Sequence, residues 1–304
     1  MDPLIGIVVG DSLGLAFESM GPKTDAKYPR PSLEEWDGET FYGSAYLGTT
    51  PGQYSDDSQM SLALAQSIIN AGEYNPTVAA NHYLAWAQSA GARGMGGTVR
   101  KAMDNLAAGI SAYNSGIPGV PSTGAAMRVI PLGVLYRNEL AGELIRAVRS
   151  DAEITHRHPI AVDAALLFAL LTQQVCKYGV GDLRARKNTL AEAAGYMPRG
   201  TVLEWAHSRL EEETPEESAE DVPWTEYRAL DAVWGVCGAF LMHDTYEDAV
   251  RYVIRRSHDT DTEAAIIGGI MACDLPVPER WKVQVEGWQE LEKVQEALLA
   301  VKPR

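Results

Sequence analysis

Apolar residues recur at intervals of three and four positions along almost the whole chain, which is the periodicity of helices packed against a core. One face of a helix over Gln59–Asn70, for instance, would carry Met60, Ala63, Leu64, Ser67 and Ile68. The same pattern predicts further helices over Thr77–Ala90, Thr98–Ala108, Ala125–Tyr136, Leu140–Ser150, Pro159–Tyr178, Val202–Glu213, Trp224–Met242, Tyr246–Arg255, Thr262–Cys273 and Glu279–Val301.

Strand patterns are nearly absent, and Phe41–Tyr46 is the best short candidate. Glycine and proline concentrate in the connecting segments, at residues 21–22, 91–97, 115–124 and 215–223. No change of composition marks a domain boundary, and no internal repeat occurs at the periods of solenoid proteins. We therefore predict one mostly α-helical domain over residues 1–304, with roughly ten to twelve helices.

The composition excludes several classes of protein. Of the 304 residues, 46% are hydrophobic and 22% are charged, which is typical of a globular protein with a sizeable core. The net charge of −15 disfavours binding along a phosphate backbone, so we expect no general nucleic-acid binding. We expect no membrane span either, because no stretch approaches ~20 apolar residues. The acidic run over residues 211–221 is predicted to be a helix end and a solvated loop rather than a metal site.

The cysteines and the N-terminus indicate a cellular compartment. Cys176, Cys237 and Cys273 are widely spaced, odd in number and embedded in apolar stretches, which predicts buried free thiols in a reducing environment. The N-terminus lacks the basic region of a signal peptide. We therefore expect a cytoplasmic protein, while the oligomeric state stays open.

Two short clusters place carboxylates beside hydroxyls directly before an apolar helical run. They are Ser55-Asp56-Asp57-Ser58 and Asp259-Thr260-Asp261-Thr262, the second flanked by His258. A helix N-cap accounts for one aspartate and one hydroxyl of each cluster, but not for the paired aspartates. Adjacent carboxylates repel, and a fold that buries them usually needs a cation. If the clusters meet, their oxygens would suit one or two Mg²⁺, Mn²⁺ or Ca²⁺ ions better than Zn²⁺.

The apolar N-terminal segment also carries two acids, Asp11 and Glu18. They lie seven positions apart and would share one helical face. Alternatively, Asp11 ties a neighbouring helix and Glu18 reaches the surface.

Two glycine-rich loops, at residues 91–98 and 120–125, each lead into a helix. Free amides at a helix start can bind an anion, although ordinary loops have the same composition. His156 and His158 precede the long apolar helix over Pro159–Tyr178. Their spacing suits neither a helical metal pair nor a catalytic dyad, and we expect one imidazole to face a pocket.

Taken together, these segments resemble the ADP-ribosylglycohydrolase family. The motifs follow the family order and extend from residue 6 to about residue 272. They are Gly10–Gly14 with Glu18, Tyr54–Met60, Arg93–Gly97, Gly124–Arg128 with Pro131-Leu132-Gly133, Thr155–Pro159, and Asp259–Thr262 followed by Ala264-Ala265-Ile266.

The resemblance implies an all-α orthogonal bundle with a binuclear Mg²⁺ or Mn²⁺ centre in a central ADP-ribose cleft. One metal would be held by Ser55, Asp56, Asp57 and Asp261, and the other by Asp259, Asp261 and Thr262. The catalytic residues would be Glu18, Asp56, Asp57 and Asp261, without an assignment of the proton donor. The substrate-binding residues would be Arg93, Gly94, Gly96, Ser122, Thr123, Gly124, His156 and His258.

The implied reaction is hydrolysis of the glycosidic bond between ADP-ribose and an acceptor, either a protein side chain of the arginine or serine type or a small molecule. The chain departs from the family pattern at three places: the first keeps the hydroxyl oxygens, and the second and third bear on the substrate. Ser55 and Ser58 replace two threonines, Ser257-His258 replaces two glycines, and Thr123 stands where asparagine is common. Two alternatives remain: a dimetal phosphohydrolase or other nucleoside-type hydrolase, and a non-catalytic ADP-ribose-binding relative.

Overall fold

A computed structural model describes residues 1–211 and 228–303. These residues contain fifteen α-helices, two 3₁₀-helices and no strand, so the predicted all-α class is confirmed. The α-helices are α1 Pro3–Gly14, α2 Pro22–Lys27, α3 Asp56–Ala71, α4 Pro76–Ala87, α5 Gly97–Ala107, α6 Ile130–Leu135, α7 Ala141–Thr155, α8 Pro159–Tyr178, α9 Leu183–Gly195, α10 Thr201–Glu211, α11 Arg228–Met242, α12 Tyr246–Arg256, α13 Thr260–Met271, α14 Glu279–Lys282 and α15 Trp288–Ala300.

Several boundaries differ from the sequence prediction. The predicted helix over Ala125–Tyr136 is a 3₁₀-helix, Thr123–Arg128, followed by α6, in which Pro131 occupies the first turn. The predicted helix over Glu279–Val301 is α14 and α15, separated by a turn that ends at Gly287 with φ of 70°. Glycine is the residue that adopts such a backbone without strain, so the helix breaks there.

The strand prediction was wrong. Phe41–Tyr46 is irregular and runs into a turn in which the Thr49 amide donates to the Ser44 carbonyl. Helices α2 and α9 were not predicted, because α2 buries no residue and α9 is rich in charges. Of the acidic run over residues 211–221, only Glu211 lies within the described residues, where it ends α10.

Helix α8 is the central core helix. It is 20 residues long and meets the length and hydropathy of a membrane span, contrary to the expectation from sequence. In the fold, however, most of it is buried among other helices, as expected for the core helix of a packed bundle. The buried apolar side chains of the described residues form one continuous cluster. Among the cysteines, Cys237 and Cys273 are buried free thiols as predicted, while Cys176 is half-buried.

The closest helix packing joins α1 to α13, which run antiparallel. Gly6, Gly10 and Gly14 line one face of α1, and their Cα atoms lie against the backbone of α13. A Cβ on Gly10 would overlap the carbonyl oxygen of Ala264, and one on Gly14 would overlap that of Thr260. Side-chain bonds reinforce the contact, since the Thr260 hydroxyl donates to the Gly14 carbonyl at 2.8 Å. The C-terminal end of α1 is thereby fixed beside the N-terminal end of α13.

Gly10→Ala should therefore destabilise the protein by about 1–3 kcal/mol or more, because the added methyl must push two backbones apart. The measurement is thermal unfolding followed by circular dichroism. Gly142→Ala is the matched control, since Gly142 is an exposed helical glycine in α7 with open space around its Cα. That change should be neutral or stabilising by up to ~1 kcal/mol. An unchanged melting temperature for Gly10→Ala would contradict the close α1–α13 contact.

Candidate metal and substrate site

A cavity of about 510 Å³ opens where the N-terminal ends of α3 and α13 meet the C-terminal side of α1. Acids from all three regions line it, and so do two loops between the helices. Its lining includes twelve of the residues expected from sequence: Glu18, Ser55, Asp56, Asp57, Gly94, Gly96, Ser122, Thr123, Gly124, Asp259, Asp261 and Thr262. The two acidic clusters, far apart in the chain, therefore face one space.

The first cluster is held by Asp11 of α1. The Asp11 carboxylate accepts hydrogen bonds from the backbone amides of Ser55 and Ser58 at 3.0 Å and from the Ser58 hydroxyl at 2.6 Å. Ser55 caps α3 by accepting from the Asp57 amide at 3.2 Å, and its hydroxyl donates to Asp57 Oδ2 at 2.9 Å. Asp11 thus ties a neighbouring helix, as one interpretation of the sequence predicted, and orients the turn that carries Asp56 and Asp57.

Glu18 does not share a helical face with Asp11, because α1 ends at Gly14 and a 3₁₀ turn intervenes. The alternative interpretation, that Glu18 reaches the outer surface, is also wrong, because Glu18 lines the cavity. Its carboxylate oxygen lies within 4.8 Å of those of Asp259 and Asp261. The segment that follows α1 and the 3₁₀ turn therefore adds a third acid to the second cluster.

The second cluster divides its side chains between two tasks. Thr260 faces α1, whereas Asp261 and Thr262 face the cavity. Asp259 caps no amide of α13 with its side chain; instead Oδ2 accepts from the Thr123 hydroxyl at 3.1 Å. The N-cap interpretation, which applied to Asp261 or Thr262, is wrong, because both lie inside the first turn of α13 and Asp259 occupies the N-cap position without a side-chain capping bond.

Burial and mutual repulsion disfavour the charged form of four cavity acids, Glu18, Asp56, Asp57 and Asp261. Removal from water, followed by the charges of Asp259 and Asp56, raises the pKa of Glu18 to about 8. Burial and then Asp11 raise the pKa of Asp56 to about 7. Burial also raises the pKa of Asp57 and Asp261 well above the usual carboxyl value, with neighbouring acids adding to the effect.

The donor set fits hard divalent cations. Asp57 Oδ1 is buried without a hydrogen-bond partner, which is costly unless a cation completes the arrangement. Carboxylate and hydroxyl oxygens are ligands for Mg²⁺, Mn²⁺ or Ca²⁺. Among the described residues, neither histidine nor cysteine lines the cavity, so the donors do not suit Zn²⁺.

The glycine-rich loop before α5 supports Asp56 directly. Gly94 has φ of 71°, and a Cβ there would lie 2.5 Å from Asp56 Oδ1. The backbone amide of Gly96 also favours the charged form of Asp56 and so opposes the effect of burial on its pKa. The absence of a side chain at Gly94 therefore lets the loop backbone lie close to the Asp56 carboxylate.

Three residues expected at the substrate lie outside the cavity lining: Arg93, His156 and His258. The Arg93 guanidinium pairs with Glu286 at 2.8 Å and donates to the Tyr54 carbonyl. His156 is buried behind Ser122, whose hydroxyl lies 2.8 Å from Nε2. His258 is half-buried in the turn before α13. Their contact with substrate stays a prediction.

His158 caps α8 by accepting from the Ile160 amide, which accounts for the second histidine of its motif.

Sequence reasoning missed two cations and an apolar rim of the cavity. Arg100 and Arg228 line it, together with Met20, Tyr46, Leu47 and Met95. None of these residues stands in a distinctive motif. Their helices and loops had to be placed in space before they could be associated with the site.

The replacement of two glycines before the second cluster has a structural consequence. The Ser257 hydroxyl donates to the buried Glu263 at 2.5 Å and accepts from the Asp259 amide at 3.1 Å. A glycine could make neither bond. Ser257 therefore fixes the turn that presents Asp259.

Known proteins resemble this chain over its whole length. The sequence model described as ADP-ribosylglycohydrolase matches residues 2–304. The chain is 24% identical to the ADP-ribosyl-[dinitrogen reductase] glycohydrolase of Rhodospirillum rubrum, covering 98% of this chain and 94% of that protein. It is 23% identical to the ADP-ribosylarginine hydrolase Tri1 of Pseudomonas putida, over 99% of this chain and 78% of the relative. A solved structure titled ADP-ribosylglycohydrolase-related protein complex shares the fold, with a TM-score of 0.78, 22% identity and coverage of 99% and 96%.

The raised pKa values predict how stability depends on pH. In the metal-free protein these acids hold protons that the unfolded chain has already released above pH ~4. Unfolding then releases protons, so the melting temperature in EDTA should fall as pH rises towards about 8. Mg²⁺ competes with those protons, and its stabilising shift should be at least ~3 °C larger at pH 8 than at pH 6. Differential scanning fluorimetry at matched ionic strength measures both effects; an equal shift at both pH values would contradict them.

Gly94→Ala should weaken Mg²⁺ binding about tenfold, since the methyl group displaces Asp56 and the positive φ is strained for alanine. Calorimetric titration with Mg²⁺ measures this. Gly91→Ala is the control, because Gly91 belongs to the same loop but has no atom near its added Cβ and lies outside the cavity lining. Equal Mg²⁺ affinity in the two variants would show that Gly94 does not support the acid.

Proposed function

Since this chain belongs to the ADP-ribosylglycohydrolase family, whose members are hydrolases acting on glycosyl bonds, we propose that it uses divalent metal ions to release ADP-ribose from an acceptor. One observation supports the use of metal ions independently of family membership. Acids from the segment after α1 and from the starts of α3 and α13 line a single cavity, where burial and neighbouring acids raise the pKa of Glu18 and Asp56.

Two Mg²⁺ or Mn²⁺ ions suit this set of donors. Ser55, Asp56, Asp57 and Asp261 would hold one ion, and Asp259, Asp261 and Thr262 the other. When bound, the ions supply positive charge that lets the acids ionise and that orients ribose hydroxyls and water. The ionised carboxylates then stabilise positive charge that develops on the ribose ring as the glycosidic bond breaks.

Glu18 is the residue that we assign to proton transfer. It lines the cavity beside Asp259 and Asp261 and belongs to neither of the two proposed sets of metal ligands, so a carboxyl oxygen stays available to carry a proton. Donation from Glu18 Oε to the leaving acceptor would balance the bond cleavage. The water that forms the new bond to the ribose anomeric carbon would give up a proton and so restore the acid.

The cavity walls suit the rest of such a ligand. A volume of about 510 Å³ is within the range that holds small-molecule ligands. Hydroxyls and amides at Ser122–Gly124 offer polar contacts, and Arg100 offers a cation on the α5 side. At the Glu18 end, a smaller pocket shares Met20 and Tyr46 with the cavity. That pocket has a volume of only about 10 Å³, room for one water molecule, so we place the acceptor in the cavity itself, next to Glu18.

A release assay for free ADP-ribose tests the function. Substrates are ADP-ribosyl-arginine and ADP-ribosyl-serine peptides, with a phosphoester panel alongside, each in Mg²⁺, Mn²⁺ or EDTA. Asp261→Asn should lose both activity, by at least about a hundredfold, and the Mg²⁺-induced thermal shift. Glu18→Gln should lose about a hundredfold in activity and keep most of that shift, because only the proton is removed.

Asp104→Asn is the matched control, since Asp104 is an exposed acid on α5 outside the cavity. It should retain wild-type activity. ADP-ribose release that survives both EDTA and Asp261→Asn would refute the metal-dependent mechanism. Cleavage confined to the phosphoesters would favour a dimetal phosphohydrolase instead.

A further inference from the structure

Behind the cavity wall, a chain of hydrogen bonds links a buried arginine to a hydroxyl that faces the ligand. Arg128 Nη1 lies 2.8 Å from the Thr155 hydroxyl oxygen. That oxygen lies 2.8 Å from His156 Nδ1, and His156 Nε2 lies 2.8 Å from the Ser122 hydroxyl oxygen. Arg128, Thr155 and His156 are buried, whereas Ser122 lines the cavity.

The arginine end of this chain has a fixed donor role. Arg128 Nε donates to Asp151 Oδ2 at 3.0 Å, and Nη2 donates to the Asp151 carbonyl. Asp151 therefore binds the guanidinium through both its carboxylate and its carbonyl. Tyr83 donates to the other carboxylate oxygen at 2.8 Å and so holds the Asp151 side chain in place. Guanidinium nitrogens only donate hydrogen bonds. The Thr155 oxygen must therefore accept from Arg128.

The direction of the remaining bonds follows from that constraint. The Thr155 hydroxyl hydrogen has two acceptors within reach, His156 Nδ1 at 2.8 Å and the Ala152 carbonyl at 3.5 Å. A hydrogen on Nδ1 would leave the Thr155 hydroxyl only the long bond to Ala152 and would point at the oxygen to which the Arg128 cation already donates. The hydroxyl therefore donates and Nδ1 accepts. In a neutral imidazole the other nitrogen then carries the hydrogen. His156 Nε2 donates to Ser122, and the Ser122 hydrogen is left to point into the cavity.

We propose that Arg128, Thr155 and His156 form a buried positioning relay that fixes Ser122 as a hydrogen-bond donor to an acceptor oxygen of the ligand. His156 is then a positioning residue that acts through Ser122 rather than a substrate contact or a proton carrier. The ligand assignment rests on the proposed function, but the direction of the relay does not.

The surroundings of His156 keep it neutral and immobile. Burial and the nearby Arg128 charge lower the pKa of His156 to about 3. Gly124 packs against the ring, since a Cβ there would lie 2.8 Å from His156 Cε1. The Gly124 carbonyl also accepts from Arg128 Nη1 at 2.6 Å. The loop that carries Ser122 is thereby folded around the imidazole.

Nitrogen NMR of the full-length protein labelled with ¹⁵N-histidine tests the direction of the relay. The His156 signal is the one missing from the spectrum of His156→Gln. At neutral pH it should show hydrogen on Nε2 and a bare Nδ1. Hydrogen on Nδ1, or on both nitrogens, would overturn the proposal whether or not any ligand binds.

Variants at Thr155 test whether its hydroxyl sets the tautomer of His156. Thr155→Val keeps the shape but removes the hydroxyl, so the Nε2–H form of His156 should lose its preference. Thr155→Ser restores the hydroxyl and should restore the wild-type spectrum. A wild-type spectrum in Thr155→Val would show that the hydroxyl does not set the tautomer and would overturn the relay.

A double-mutant cycle with ADP-ribose, measured by calorimetry, tests the consequence. Ser122→Ala should weaken binding by up to about tenfold, the effect of one hydrogen bond. Thr155→Val should weaken it in the wild-type background but cause little further loss in Ser122→Ala. Additive losses would overturn action through Ser122. If ADP-ribose fails to bind the wild-type protein, the proposed function fails, and the spectrum alone decides the relay.

Discussion

The backbone contact between α1 and α13 is the constraint on which the site depends. Glycines at every fourth position of α1 leave its backbone bare, and α13 packs against that face without intervening side chains. The same stretch of α1 carries Asp11, which binds the amides that begin α3. One helix therefore sets where both acidic clusters stand, and a shift of its position would move the two clusters relative to each other.

In such a site the fold buries carboxyl groups that the proposed chemistry needs in their charged form. Burial and neighbouring acids raise the pKa of Glu18, Asp56, Asp57 and Asp261, so the folded chain holds protons that separate carboxyl groups would release. Local rules for a stable core are violated where the segment after α1 meets the starts of α3 and α13, which is typical of functional sites. The divalent cations that we propose would replace those protons with a charge that the oxygens can share.

The substrate side of the cavity is built differently, from loops whose polar groups are fixed by bonds outside the cavity. Gly94 and Gly96 approach Asp56 closely, Thr123 binds Asp259, and Ser122 is bound to His156. Ser257 adds a bond at the turn before α13 that a glycine would lack. These connections couple the ligand walls to the acids, so a group buried behind the wall, such as Arg128, contributes to a surface that it never touches.

The sequence by itself determined the all-α class, most of the helices and the residues of both acidic clusters, because helical periodicity and adjacent carboxylates are local patterns. It also suggested that the clusters meet, on the argument that buried acids need a shared cation. Only the tertiary structure decided that Arg93 pairs with Glu286, that His156 lies behind Ser122, and that a Glu18 carboxylate oxygen lies within 4.8 Å of those of Asp259 and Asp261. It likewise brought Arg100 and Arg228 to the wall, and made Phe41–Tyr46 a turn. These outcomes depend on contacts between distant segments, for which neither spacing nor propensity along the chain carries a signal.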